Sequence, residues 1–159
     1  MNGKWKISSD PQKIRFITII IVALGGLLWY FRPLPLSNLA NDSIQILATE
    51  IEYVVKDDMA YHNVTNYTEI SDVQKNEIQA LFENYSYKRT LGTLFSDGSL
   101  DGFFNKVPHK TVLISVYKEG DSFNSITIRD TGKIAVNDKD YKIQDSAELI
   151  EAMLEIISN

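Results

Sequence analysis

The sequence predicts an α+β chain: one N-terminal transmembrane helix, then an antiparallel sheet of five or six strands with two helices packed on one face. Three observations carry that reading. Residues 16–31, FITIIIVALGGLLWYF, hold no charge. From Lys110 onward, short stretches of alternating or β-branched residues are separated by Gly, Asp and Asn turns. Two other segments repeat apolar residues at helical spacing behind a capping signal.

The apolar run comes first. Phe16–Phe31 spans about 24 Å as a helix, and Ile14, Leu34 and Leu36 extend its apolar contact to what a bilayer core needs. Trp29, Tyr30 and Phe31 place amphipathic aromatics at one end, as a membrane-interface belt, with Arg32 directly after them. A core helix of a soluble domain would show a polar face, and a cleaved signal peptide would be followed by a small-residue cleavage site. The run shows no polar face, and a cleaved signal peptide competes only through a cut after Ala40, where Asn38 at the minus-three position fits poorly. Lys4, Lys6, Lys13 and Arg15 precede the run against the single acid Asp10. Basic flanks stay cytoplasmic, so the C-terminal body is expected outside the plasma membrane. The expected organisation is a cytoplasmic tail over 1–13, a signal-anchor helix over 14–34, a proline-stiffened stalk over 35–43 and an extracytoplasmic domain over 44–159.

The body then reads in order. Ile44 to Val55 alternates as a strand, but its phase slips near Ala48-Thr49, which suggests a bulge or bend. Lys56-Asp57-Asp58 is a turn, and Met59 to Val64 returns as a second strand. Ser71-Asp72-Val73-Gln74 is a capping box that opens a helix running to about Glu83 or Asn84. Tyr85 to Leu94 looks extended, and 96–109 is a Gly- and Asp-rich loop. Strands follow at 110–118, 123–129, 133–136 and 141–143, with links short enough for a meander. Asp145 or Ser146 caps the last helix, with Glu148 at capping-box spacing from Asp145.

Composition bounds the function. The chain has 159 residues and no cysteine, which excludes thiol catalysis, cysteine-based zinc sites and disulfides. From Pro33 onward, 11 Lys and Arg stand against 20 Asp and Glu, a net charge of −9. Nucleic acid needs clustered cations and is not expected as a partner. The same balance argues against the body lying on anionic lipid.

No constellation of nucleophile, base and orienting group is legible, so no catalytic residue is assigned and a non-enzymatic role is expected. His62 and His109 are the only histidines and fall on separate elements. The carboxylate pairs Glu50/Glu52, Asp57-Asp58 and Asp138/Asp140 read as solvated faces or turns. Asp97-Gly98-Ser99-Leu100-Asp101-Gly102 matches the first half of a calcium loop, with Asp97, Ser99 and Asp101 as candidate ligands. The glutamate required at position 12 is Pro108 here, so an ordinary Asp/Gly turn competes, and calcium is the one cofactor considered. Leu100, Phe103 and Phe104 in the same loop are candidate partner contacts, or a lid on the core.

From Lys110, the sequence strand, turn, TIRDTGKIAVNDKDYKI and capped C-terminal helix resembles small membrane-anchored envelope domains of Gram-positive bacteria. The resemblance covers about the last third of the chain. It implies a fold and a location, and brings no activity and no functional residue. The expected role is a single-pass, outward-facing binding or accessory module for an envelope protein or peptide. The alternatives are a weak calcium-dependent sensor or adhesion module, and last an envelope hydrolase.

Overall fold

The computed structural model describes residues 11–57, 59–98, 108–120 and 122–159. It divides into two compact units, one ending at Arg32 and the other running from Pro33 to Asn159.

The first unit carries helix α1, Pro11–Tyr30. Pro11 opens it, where a missing N–H costs nothing. The 20 residues span about 30 Å, the thickness of a bilayer core. None of its side chains is buried by protein, and it is long and apolar enough to cross a membrane.

The second unit is α+β. Its strands are β1 (Leu34–Pro35), β2 (Ser43–Lys56), β3 (Met59–Tyr67), β4 (Ser86–Lys88), β5 (His109–Lys118), β6 (Phe123–Arg129), β7 (Lys133–Val136) and β8 (Lys139–Ile143). Its helices are α2 (Ser37–Ala40), α3 (Asp72–Glu83) and α4 (Ser146–Ser158). One antiparallel sheet holds all eight strands in the order β1-β4-β8-β7-β6-β5-β2-β3. The expectation was five or six strands. The additional pairings come from β1 and β4, two and three residues long, too short to leave a periodic signal.

Turn chemistry explains the meander. Asn137 and Asp138 both take positive φ, 46° and 61°, between the paired residues Val136 and Lys139. That is the two-residue turn whose twist matches the strands, and Asn and Asp tolerate it. The three-residue link from Arg129 to Lys133 ends on Gly132 at φ 81°. β3 is one edge of the sheet and β4 is next to the other, so the segment carrying α3 must cross it.

Ile78 and Phe82 of α3, and Leu149, Ile150, Met153 and Ile157 of α4, join Ile46, Val112, Ile114, Val116, Ile126, Ile128 and Ile134 in one core. The helices therefore share one face of the sheet and pack on each other. The Ser71–Gln74 capping box forms in full: Ser71 Oγ accepts from the Gln74 N–H at 3.3 Å, and Gln74 Oε1 accepts from the Ser71 N–H at 2.9 Å. Lys75 Nζ lies 2.7 Å from Asp72 and, as donor and charge, holds that carboxyl below the usual range.

Three local expectations are corrected. The bulge in β2 sits between Ser43 and Gln45, while Ala48–Tyr53 pairs both neighbours in unbroken register. Burial moves from Ile46 and Ala48 to Tyr53 because the two faces of β2 are covered at different points along its length. Asp145 does precede α4, but in the left-handed region (φ 52°) with no side-chain cap. Ser146 Oγ instead accepts from the Gly132 N–H at 2.9 Å, tying α4 to the β6–β7 turn. Residues 35–43, expected as a stalk, carry β1's end and α2, and bury Leu36, Leu39 and Ala40 in the core. Leucines spaced between prolines read as linker in sequence, yet Pro35 lies in an edge strand, where proline is tolerated.

Candidate functional site

The sheet has two edges, and they are built differently. β1 is two residues long and ends on Pro35. β3 is nine residues, MAYHNVTNY, exposed along nearly its whole length, and pairs β2 without a bulge. Sheets normally protect such an edge with lysine, proline, a bulge or brevity. β3 has none of these and no charged residue at all. Met59, Tyr61 and Val64 are 58%, 46% and 56% exposed along it. β5 pairs β2 only as far as Tyr53, so Val54–Lys56 and Met59–Tyr61 extend the β2–β3 hairpin past the neighbouring strand.

Register brings the two histidines together. Tyr53 is paired with His62 on β3 and with His109 on β5. Directly paired residues share a face, so the three rings form one row across three strands. The Tyr53 ring meets His62 edge-on at 5.0 Å and stacks on His109 at 5.1 Å. Tyr53 and His109 are buried, together with Thr111, Arg129 and Ala135 on the face away from the helices. Tyr53 and Ala135 lie outside the main hydrophobic cluster. The second face therefore holds a smaller buried layer that is mixed polar and aromatic. Thr111 Oγ1 lies within it without a hydrogen-bond partner among the described residues.

The helix-side face of the same hairpin is polar where the helices end. Glu50 accepts from Tyr67 Oη at 3.2 Å and pairs with Lys110 Nζ at 3.2 Å. Glu52 accepts from Asn63 Nδ2 at 3.2 Å. These bonds fix the spacing of β2, β3 and β5 side chains. The edge is thus held in unbroken register by its own cross-strand pairs, with its outer backbone groups turned away from the sheet.

The predicted site residues divide into two groups. Trp29, Tyr30 and Phe31 sit at the C-terminal end of α1, with the Arg32 guanidinium 4.9 Å from the Trp29 ring and Tyr30 edge-on to Phe31 at 5.1 Å. Asp97 lies just before Gly98, which takes φ 79° and packs against the backbone of Asp138. Ser99, Leu100, Asp101, Phe103 and Phe104 lie outside the described residues. Among the described residues no three His, Asp or Glu groups converge on a metal position. The uncharged wording of β3 was visible in the sequence. The Tyr53 row needed the register of three strands and was not.

Compared with protein-family models, with curated proteins and with solved structures, the chain finds no match.

Proposed function

We propose that this chain is a single-pass membrane-anchored, extracytoplasmic binding or accessory module that captures an extended segment of an envelope protein or peptide by strand addition to β3. One observation carries the reading: a nine-residue edge strand with no charge, proline or bulge along it. Strand addition supplies main-chain hydrogen bonds for affinity, and alternating side chains supply selectivity. The strand offers Tyr61, Asn63 and Thr65 on one face and His62, Val64 and Asn66 on the other, read from their pairing with β2. The chain joins the sheet at β1, the opposite edge from β3. With strands about 4.8 Å apart, the free edge lies roughly 34 Å across the sheet from the joining strand. The basic residues ahead of α1 support an inward N-terminus, and the apolar α1 supports anchoring.

The test is a photo-crosslinking amino acid in place of Tyr61, in the full chain in its native membrane. The expected result is an adduct to one segment of a different polypeptide, lost when Val64 is replaced by Pro. Adducts only between copies of this chain, or adducts indifferent to Val64→Pro, overturn the reading. Blocked labelling of a cysteine introduced at Glu151 from outside intact cells would overturn the orientation.

A further inference from the structure

We infer that the β3 edge selects a basic segment: a Lys or Arg paired opposite Asn63 reaches over that strand to the carboxylate of Glu52. The inference rests on the strand addition proposed above and names the chemistry of the captured chain.

Two glutamates of β2 share a face and are satisfied differently. Glu50 pairs with Lys110 Nζ at 3.2 Å and accepts from Tyr67 Oη at 3.2 Å. In the β2–β5 register Lys110 stands directly opposite Glu52, yet its ammonium goes to Glu50. Glu52 is left with a neutral donor, Asn63 Nδ2, at 3.2 Å from its Oε2. Among the described residues no Lys or Arg makes an ion pair with it. Glu52 is half-buried, so water solvates it only in part. A carboxylate in that state gains from a charged donor, whose hydrogen bonds are the strong ones.

Register places that donor on the free side of β3. Asn63 is opposite Glu52 and is the middle residue of the nine in β3. β3 is the last strand of the sheet, so a captured strand lies on its outer side. The residue paired with Asn63 on that strand shares the face of Asn63 and Glu52. Two strand spacings, about 10 Å, separate its backbone from that of Glu52. The long stems of Lys and Arg close that gap together with the glutamate's own side chain; short side chains do not. Tyr61 is 46% exposed and lies two residues from Asn63 along the same face. Its ring is diagonal to the incoming cation, within reach for a cation–π contact.

Charge acts in the same direction at longer range. β3 carries no charge, and the body as a whole carries −9. A basic segment is therefore drawn to the edge and an acidic one repelled. An uncharged segment pairs with the same backbone groups but leaves Glu52 as it stands, so Glu52 adds selectivity to an edge whose main-chain bonds accept any sequence.

The test uses dye-labelled peptides of nine residues, the length of β3, in which Thr and Val alternate around a central Lys, Gln or Glu. Anisotropy measures their binding to the full chain in neutral detergent. The Lys peptide is expected to bind about fivefold tighter than the Gln peptide, a difference of about 1 kcal/mol. The Glu peptide should bind more weakly than either. In Glu52→Gln the Lys and Gln peptides should bind alike, while the Gln peptide keeps its original affinity and so reports that the variant is folded. Val64→Pro should abolish binding of all three, which places them on the edge. Equal binding of the Lys and Gln peptides overturns the inference and leaves strand addition standing. So does a Lys preference that survives Glu52→Gln, which assigns it to the net charge alone. If no peptide binds, the segment crosslinked through position 61 in the native membrane decides. A Lys or Arg in that segment whose removal weakens the adduct supports the inference, and a segment with neither overturns it. Absence of any adduct overturns strand addition itself.

Discussion

Gln79 Nε2 donates to the carbonyl of Ala40 at 2.9 Å, across 39 positions of sequence. The same amide group reaches Ser43 Oγ at 2.9 Å. Leu36, N-terminal to α2, has no exposed surface, and its N–H donates to the Tyr85 carbonyl at 3.0 Å. Asn124 Nδ2 donates to Leu39 at 2.8 Å. The segment between the apolar helix and β2 is therefore held by α3, β6 and the chain before β4. It is a structural part of the body.

Leu36→Ala is expected to cost about 2–5 kcal/mol, because it removes a fully buried side chain and leaves a cavity. Gln79→Ala should cost about 1–3 kcal/mol by leaving the Ala40 carbonyl without its donor. Urea unfolding of each variant measures both. A Leu36→Ala cost under about 1 kcal/mol would restore the linker reading of 35–43.

Gly98 separates two kinds of glycine. Its φ is 79°, and an added Cβ would lie 2.6 Å from Asp138 Cα. Gly120 has φ 77° with open space around it. Gly120→Ala should therefore show only the left-handed backbone penalty, about 1 kcal/mol. Gly98→Ala should cost measurably more, about 2–4 kcal/mol, since backbone must move as well. Equal losses in thermal unfolding would show that 96–98 is not anchored on the β7–β8 turn.

What was legible in the sequence follows from the range over which each signal acts. The apolar helix, the Ser71–Gln74 cap and the hairpin that follows 133–136 are local, and residue pattern alone gives them, although the strand expected at 141–143 begins at Lys139 because the turn needs only Asn137 and Asp138. β1 and β4 are too short to carry a period, and exist because the core offers them partners: Leu36 N–H to Tyr85, and Tyr87 opposite Ile143. The apparent phase slip in β2 misled for a related reason. Glu50 and Glu52 occupy the inward phase where helices no longer cover the sheet, and pair with Lys110 and Asn63 instead. The row at Tyr53 joins residues from three strands. Spacing along one chain does not encode that.

Tyr87 gives a pH dependence of known sign. Burial raises its phenol above the ordinary value, and the neighbouring Tyr141 adds to the shift. An unfolded tyrosine titrates near 10. Between that value and the raised native one, the native state holds more protons than the unfolded state. Stability is thus full below about pH 10 and falls as pH rises through that window. Tyr85, also raised by burial, adds to the fall. Urea midpoints taken from about pH 9 to about pH 11 should decline, and Tyr87→Phe should flatten the decline. An unchanged slope in Tyr87→Phe would sink the assignment.

The β3 edge predicts how the purified chain behaves without its partner. A long, regular, uncharged edge presents unpaired N–H and C=O groups to any other strand, including another copy of itself. Concentrating the detergent-solubilised chain should therefore drive reversible association. Val64 is exposed at the middle of that edge, so Val64→Lys adds a charge there without disturbing the core. The expected outcome is at least a tenfold weaker self-association by sedimentation equilibrium, a shift of about 1.4 kcal/mol. Folding stability should stay within about 0.5 kcal/mol, as for other exposed substitutions. Lys88→Glu, on β4 at the other end of the sheet, is the control and should leave association unchanged. Association that survives Val64→Lys but responds to Lys88→Glu would place the contact near β4 rather than on the β3 edge.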